Sequence, residues 1–414
     1  MAFPASRERR AAPAVELAGY LSAAVGVGEA ARSYVNALRA AGVAVAERDV
    51  PLPGRDDAGS RPQPGPEPPA HEVRFNLLCL NPEQMLPYLA SAAAPPLAQR
   101  TTIAIWSWEV DLLPPGWRQA AGEVAEVWTY SEFAAGLIGA GIGARVRGMP
   151  PPVSVAGLAG AASASGLAGA AASGAAAQPG ATPAPAELPG GFRFLTMFDF
   201  LSTLERKNPL GVIEAYTSAF APTDGAALVV KSTNGRHRPE RRDELLAVIG
   251  DRADIVLVDR TMTGRERDAL LASCDCYVSL HRSEGHGLPI AEAMALGRSV
   301  IATAYGGNME FMSAENAYPV AWTPVLVDAG VEHYPAGSRW AEPDLELAGQ
   351  AMRAVHGDPD SARRLGARAR ADVLRELGPE AAGSRMRRRL EALAGGGVGA
   401  RTRRMASRLV GRPC

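Results

Sequence analysis

Lysine is nearly missing from this 414-residue chain, which keeps two, Lys207 and Lys231, beside 41 arginines. A bias toward arginine explains the shortage, and a compact ammonium that binds phosphate as a point charge explains the two exceptions. Cysteine is also scarce. Cys79, Cys274, Cys276 and Cys414 form neither a disulfide framework nor a zinc pattern, and the Cys274/Cys276 pair, beside a predicted strand, reads as small buried thiols. No excess of charge exists either: the net charge of −1 leaves no general electrostatic case for nucleic acid, and none is expected as a partner. The opening "MAFPASRERRAAPAVELAGY" lacks the apolar run of a signal peptide, so the expected location is cytoplasmic. Charge is absent altogether from 153 to 186. That stretch is Ala, Gly and Ser interrupted by Pro179, with a nine-residue echo ("GLAGAASAS", "GLAGAAASG"). It buries too little apolar surface for a membrane span and reads as a flexible linker over 153–190.

What is present suits a globular protein. Hydrophobic residues make 47% of the chain and charged ones 21%, and the length allows two domains with sizeable cores. Over 14–152, strand-like "VELAGYL" leads through the glycine loop "SAAVGVG" to a helix ending at Gly42, then to strand-like "VAVAER". The proline-rich 51–71 reads as a surface loop, and "RFNLLCL", "TTIAIWSWEV" and "EVWTYS" follow as strands. Over 191–394, "GFRFLTMFDF", "ALVVK", "ADIVLVD", "CDCYVSL" and "SVIATAYGG" alternate with helical segments, one opened by Thr263 and Glu266 at capping-box spacing. This alternation predicts two parallel-sheet domains, the last helix of the second being available to pack back on the first. The tail 395–414 is glycine-rich and then basic, a solvated segment whose arginines could touch anionic lipid at the inner face of a membrane.

The most informative stretch is "LHRSEGHGLPIAEAMALG", 280–297. Glu284 falls in the loop after a buried strand, and Glu292 near the first turn of a helix that Pro289 opens and Gly297 closes. Lys231 ends a strand and Lys207 precedes a helix, so parallel strands would bring both lysines to the edge carrying Glu284. In open α/β sheets that edge binds ligands, and a helix N-terminus there favours an anion. Taken alone, Glu292 could simply complement the helix dipole.

With these residues assembled, the second domain resembles the retaining glycosyltransferases of family 4, which have the GT-B fold. The likeness is carried by "EGHGLPIAE", "EAMALGRSVIAT", "GGNME" at 306–310 and the upstream "ERKNP", and it is clearest from Phe192 to Tyr318. The first domain fits more loosely, through Gly26, Gly28 and "EVWTYSEF". The resemblance implies an α/β GT-B protein, two Rossmann-like domains facing a cleft. It implies transfer of a sugar, with retention and without metal or cofactor, from a UDP- or GDP-sugar to a hydroxyl of a glycan, lipid or small molecule. By the same resemblance Glu284 faces the donor sugar and Glu292 accepts the ribose hydroxyls. Arg206 and Lys207 bind the diphosphate, with Lys231 as helper. The amides of Gly287 and Leu288 cradle the phosphates, Gly285 shares their turn, and Gly26 and Gly28 face the donor from the first domain.

Three positions depart from the pattern: Leu201 replaces an arginine six residues before Lys207, Asn208 a glycine, and His286 a phenylalanine. Arg206 is the candidate to replace the missing arginine. His281 and His286 are expected to pack and hydrogen-bond rather than move protons. In "WSWEV", Trp106 and Trp108 read equally well as a sugar platform or as core, and no acceptor site follows from them or from Glu109. Two rival readings stand. Gly26-x-Gly28-x-x-Ala31, with Glu47 or Asp49 beyond it, fits a relaxed dinucleotide fingerprint and an NAD-dependent oxidoreductase or epimerase. A sugar-nucleotide-binding module without activity is the other.

Overall fold

Runs such as "LLC" at 77–79 and "IAIW" at 103–106 are apolar at successive rather than alternating positions, as strands covered on both faces must be. In the computed structural model, which describes residues 13–52, 65–153 and 188–395, they pair in parallel. The first domain contains β1 (Ala14–Gly19), α1 (Gly26–Ala40), β2 (Val45–Asp49), β3 (Val73–Cys79), α2 (Pro82–Leu89) and β4 (Thr101–Trp106). It continues with α3 (Trp117–Ala121), β5 (Glu126–Thr129), α4 (Glu132–Ile142) and β6 (Val146–Gly148). Its sheet order is β2-β1-β3-β4-β5-β6. The expected linker beyond 153 and the basic tail beyond 395 fall almost wholly outside the described residues, as does 53–64 of the proline-rich loop.

The second domain runs β7 (Phe192–Asp199), α5 (Leu204–Lys207), α6 (Pro209–Ala219), β8 (Ala226–Thr233), α7 (Pro239–Ile249), β9 (Ile255–Asp259) and α8 (Gly264–Ser273). Then come β10 (Cys276–Ser279), α9 (Leu288–Ala295), β11 (Ser299–Thr303) and β12 (Tyr318–Val320). Its parallel order is β12-β11-β10-β7-β8-β9. Apolar clusters cover both faces, one around Tyr277 and Met294, the other around Phe194 and Tyr216. An antiparallel hairpin, β13 (Trp322–Leu326) and β14 (Arg339–Pro343), precedes α10 (Leu345–Gly357), α11 (Pro359–Leu377) and α12 (Pro379–Gly395).

Helix α12 belongs to the first domain by packing. Ala382, Met386 and Leu390 enter the cluster of Leu17, Tyr34 and Leu38, and the Arg389 guanidinium pairs with Glu126. The chain therefore passes between domains twice, and the passages meet where the Val153 amide donates to the Leu377 carbonyl at 2.8 Å.

Three local features refine the sequence reading. Thr263 and Glu266 form the reciprocal capping box of α8. Gly297 takes a φ of +72° after α9, the left-handed conformation that ends helices. By contrast, α1 starts at Gly26, so the two glycines lie in its first turn and not in a loop. The cause is contact: a Cβ on Gly28 would stand 2.5 Å from the Tyr20 carbonyl oxygen.

Candidate active site

The order of the second sheet reverses between β7 and β10, which are neighbours. Loops leaving adjacent strands in opposite directions open a crevice at that point. Lys207 follows β7, Glu284 follows β10, and Lys231 lies near the end of β8. The crevice faces the first domain and forms a cleft of about 430 Å³ lined from both sides, by Gly26, Glu29 and Glu109 as well as Lys207, Arg267 and Glu284. That volume suits a small-molecule site.

At its centre the Lys207 ammonium donates to Glu284 Oε2 at 2.5 Å, and Arg206 Nη1 lies 3.7 Å from the same oxygen. Burial opposes ionisation of Glu284, but Lys207 and Arg206 outweigh it and hold the carboxyl well below its ordinary range. Burial draws Lys207 below its usual value, with Glu284 resisting. Arg206 is buried, donates to the Ser283 carbonyl at 3.1 Å, and pairs through Nε with Glu109 at 3.2 Å. Leu201, in place of the arginine, lines the cleft. Lys231 also lines it, its ammonium held by the carbonyls of Ser232 at 2.8 Å and Arg260 at 2.9 Å, and burial lowers its pKa to about 8.

The helix opens one residue earlier than expected, at Leu288, which puts Glu292 fifth, just past the first turn, where the helix dipole does not account for it. Arg267 of α8 reaches it at 3.1 Å and also reaches Glu29 of α1, in the other domain, at 3.6 Å. Burial, against the pull of Arg267 and with the nearby Glu29 and Asp268, raises the Glu292 carboxyl to about 7. Gly287 has a φ of +89°, which favours glycine, and with Leu288 it places N–H groups at the positive end of α9. Gly285 lies in the same turn and lines the cleft. Gly26 lines it from the first domain, whereas Gly28 serves backbone packing.

The histidines divide. His281 is fully buried between the Ser279 hydroxyl at 3.0 Å and the Tyr305 carbonyl at 2.9 Å. His286 packs on Phe311, but neither ring nitrogen has a hydrogen-bond partner among the described residues, contrary to the expected hydrogen bonding. Burial lowers both rings to about 4, so both are neutral near pH 7.

Sequence reasoning does not point to two of the cleft residues, Glu109, which lies three residues beyond β4, and Arg267, which bridges the domains; behind the lining, Tyr334 on the loop of the β13–β14 hairpin donates its hydroxyl to Glu109. A charged residue three positions beyond a buried strand is the available signal for Glu109. Trp106 and Trp108 are buried and pack on Trp117 with ring centroids 5.2 Å away, which is core packing and not a sugar platform. Six residues separate β1 from Gly26, and Glu47 pairs with Arg39 at 2.6 Å, so the immediate turn of a dinucleotide fingerprint is absent. Among the described residues no three His, Cys, Asp or Glu are grouped to hold a metal. An Asp-x-Asp triplet at 358–360 caps α11 and pairs with Arg363, outside the cleft lining.

Two facing α/β domains of this kind, with parallel six-stranded sheets, define the GT-B fold. Its similarity to solved structures runs the length of the chain. A glycosyltransferase from Rickettsia africae aligns at 13% identity and TM-score 0.61, over 92% of this chain and 98% of that one. Sucrose-phosphate synthase from Thermosynechococcus elongatus aligns at 15% and 0.61, over 93% and 100%. Anabaena HepE, solved with UDP and glucose, aligns at 13% and 0.59, over 92% and 99%. More specifically, residues 200–330 match the family model of group 1 glycosyl transferases. No curated protein matches the chain.

Proposed function

We propose that this protein is a retaining, metal-independent glycosyltransferase, similar to family 4, that moves a sugar from a nucleoside-diphosphate sugar to a hydroxyl acceptor. The observation that carries the reading is the buried cluster of Lys207, Arg206 and Glu284 at the sheet's reversal point, within residues that match the group 1 model. Breaking the anomeric bond leaves growing negative charge on the diphosphate. Lys207, Arg206 and the amides opening α9 stand ready to stabilise it, which is the work a metal ion does elsewhere. The sugar meanwhile becomes oxocarbenium-like, and the ionised Glu284 favours its positive charge. Glu292 offers its carboxyl to the ribose hydroxyls. UDP in the HepE structure makes uridine nucleotides the first donors to try. The basic tail could add contact with anionic lipid, and no described helix is long and apolar enough to cross a membrane.

The test is thermal stabilisation by UDP and by GDP in EDTA. At about 100 times its Kd a nucleotide stabilises the native chain by about 2.7 kcal/mol, and Lys207→Ala should abolish the shift at the same concentration. No shift with either nucleotide in the natural chain would sink the reading.

A further inference from the structure

We propose that Glu109 is the acceptor-binding carboxylate of this site, taking a hydrogen bond from an acceptor hydroxyl at its Oε2; this rests on the glycosyltransferase reading above. Its two oxygens have different surroundings. Oε1 accepts from the Tyr334 hydroxyl and lies 3.2 Å from Arg206 Nε, an ion pair without hydrogen-bond alignment. No described residue donates to Oε2, and it is not among the buried atoms left without a partner, so it is open to the cleft that Glu109 lines. A carboxylate oxygen facing a cleft takes its hydrogen bond from a ligand or from water.

The glycine beside it keeps that oxygen open. A Cβ on Gly285 would lie 3.7 Å from Glu109 Oε2 and 3.5 Å from the Trp108 carbonyl oxygen. Gly285 is not among the residues with positive φ, so its backbone does not require glycine. Its use is the free space in front of Oε2, which a longer side chain would fill. The scaffold behind is fixed too. Ser283 donates its hydroxyl to the Glu109 carbonyl, and Tyr334 packs on Trp108 with ring centroids 5.4 Å apart. Glu109 thus stands on the first domain, sharing Arg206 with Glu284 of the second, where an acceptor held by one domain would meet a donor held by the other.

A carboxylate can only accept, so its complement is an O–H. In the transfer, the acceptor oxygen bonds to the anomeric carbon while that carbon's bond to the diphosphate oxygen breaks. The electron pair leaves with the diphosphate, which also takes the proton of the attacking hydroxyl. Glu109 therefore binds a second O–H of the acceptor, a neighbouring hydroxyl of a polyol or, in hydrolysis, the other hydrogen of water. The acceptor class is polyhydroxylated, and the contribution is orientation of the attacking oxygen.

The full chain should be assayed for consumption of UDP-glucose and GDP-mannose with water as the probe acceptor. Glu109→Ala should lower kcat by about tenfold, with donor KM and the Kd of UDP or GDP within about twofold of the natural chain. Glu109→Gln, which keeps the shape and an accepting oxygen, should fall between, and Tyr334→Phe should lose less than Glu109→Ala. Unchanged kcat in both Glu109 variants overturns the proposal. So does a parallel rise in KM and Kd with a drop in melting temperature, the mark of a merely structural residue. A natural chain that neither UDP nor GDP stabilises removes the glycosyltransferase reading itself, and this inference with it.

Discussion

Glu284 and Glu292 are buried to a similar depth on one sheet edge, yet they titrate in opposite directions because their cations are shared differently. Two cations serve Glu284, whereas Arg267 is divided among Glu292, Glu29 and Asp268. For Glu292 the consequence has a definite sign. The folded carboxyl holds its proton to about pH 7, against 4.5 for the ordinary group. Between those values the unfolded chain binds fewer protons, so stability falls as pH rises from about 4.5 to about 7 and is level above. Glu292→Gln removes that term. Relative to the natural chain, the variant should gain on the order of 3 kcal/mol between about pH 5 and about pH 7.5, as read from urea unfolding. Equal slopes in the two chains would rule the idea out. Glu284 and Lys207 drew notice in the sequence through a spaced pair of acids and the rarity of lysine. Glu109 and Tyr334 gave no comparable sign, since their meeting depends on contacts 225 residues apart in sequence.

At the scale of elements, periodicity and end signals carried most of the reading. Proline in the first turn of α9, glycine after it and the Thr263 box each act within a few residues, and the structure has all three. A Gly-x-Gly pattern reads as a loop when the neighbour pressing on Gly28 is unknown, whereas α1 already begins at Gly26. The β13–β14 hairpin had no apolar alternation to announce it: Thr323, Pro324 and Leu326 are exposed. Close packing also gives α12 a sharp test. A Cβ on Gly383 would lie 2.1 Å from the Ala37 carbonyl oxygen, a backbone atom that cannot swing aside. Gly383→Ala should push α12 off α1 and cost about 1–3 kcal/mol in chemical denaturation. A neutral result would mean that the helices separate freely.

For the molecule as a whole, two α/β units were legible because strand and helix patterns restart after an uncharged stretch. Which unit owns the last helix was open, since an amphipathic pattern says that a face is buried but not against what. The packing of α12 makes the first domain depend on residues at the far end of the chain. A chain ending at Leu377 would expose the α1 surface that Ala382, Met386, Leu390 and Leu393 cover. At roughly 1.5–3 kcal/mol for each large apolar side chain buried, the first domain should lose on the order of 5 kcal/mol. Limited proteolysis should then cut within 14–150 first and leave the second domain intact. Simultaneous loss of both domains would contradict this.

The bond between Val153 and Leu377 has a mechanical consequence as well. Two bodies joined by one length of chain can drift and tumble apart, but here both crossings are pinned to each other at one place. Any opening of the cleft would have to swing about that pin, and the pairs of Glu29 with Arg267 and Asp111 with Arg339, which cross between the domains at other points, would have to part before it.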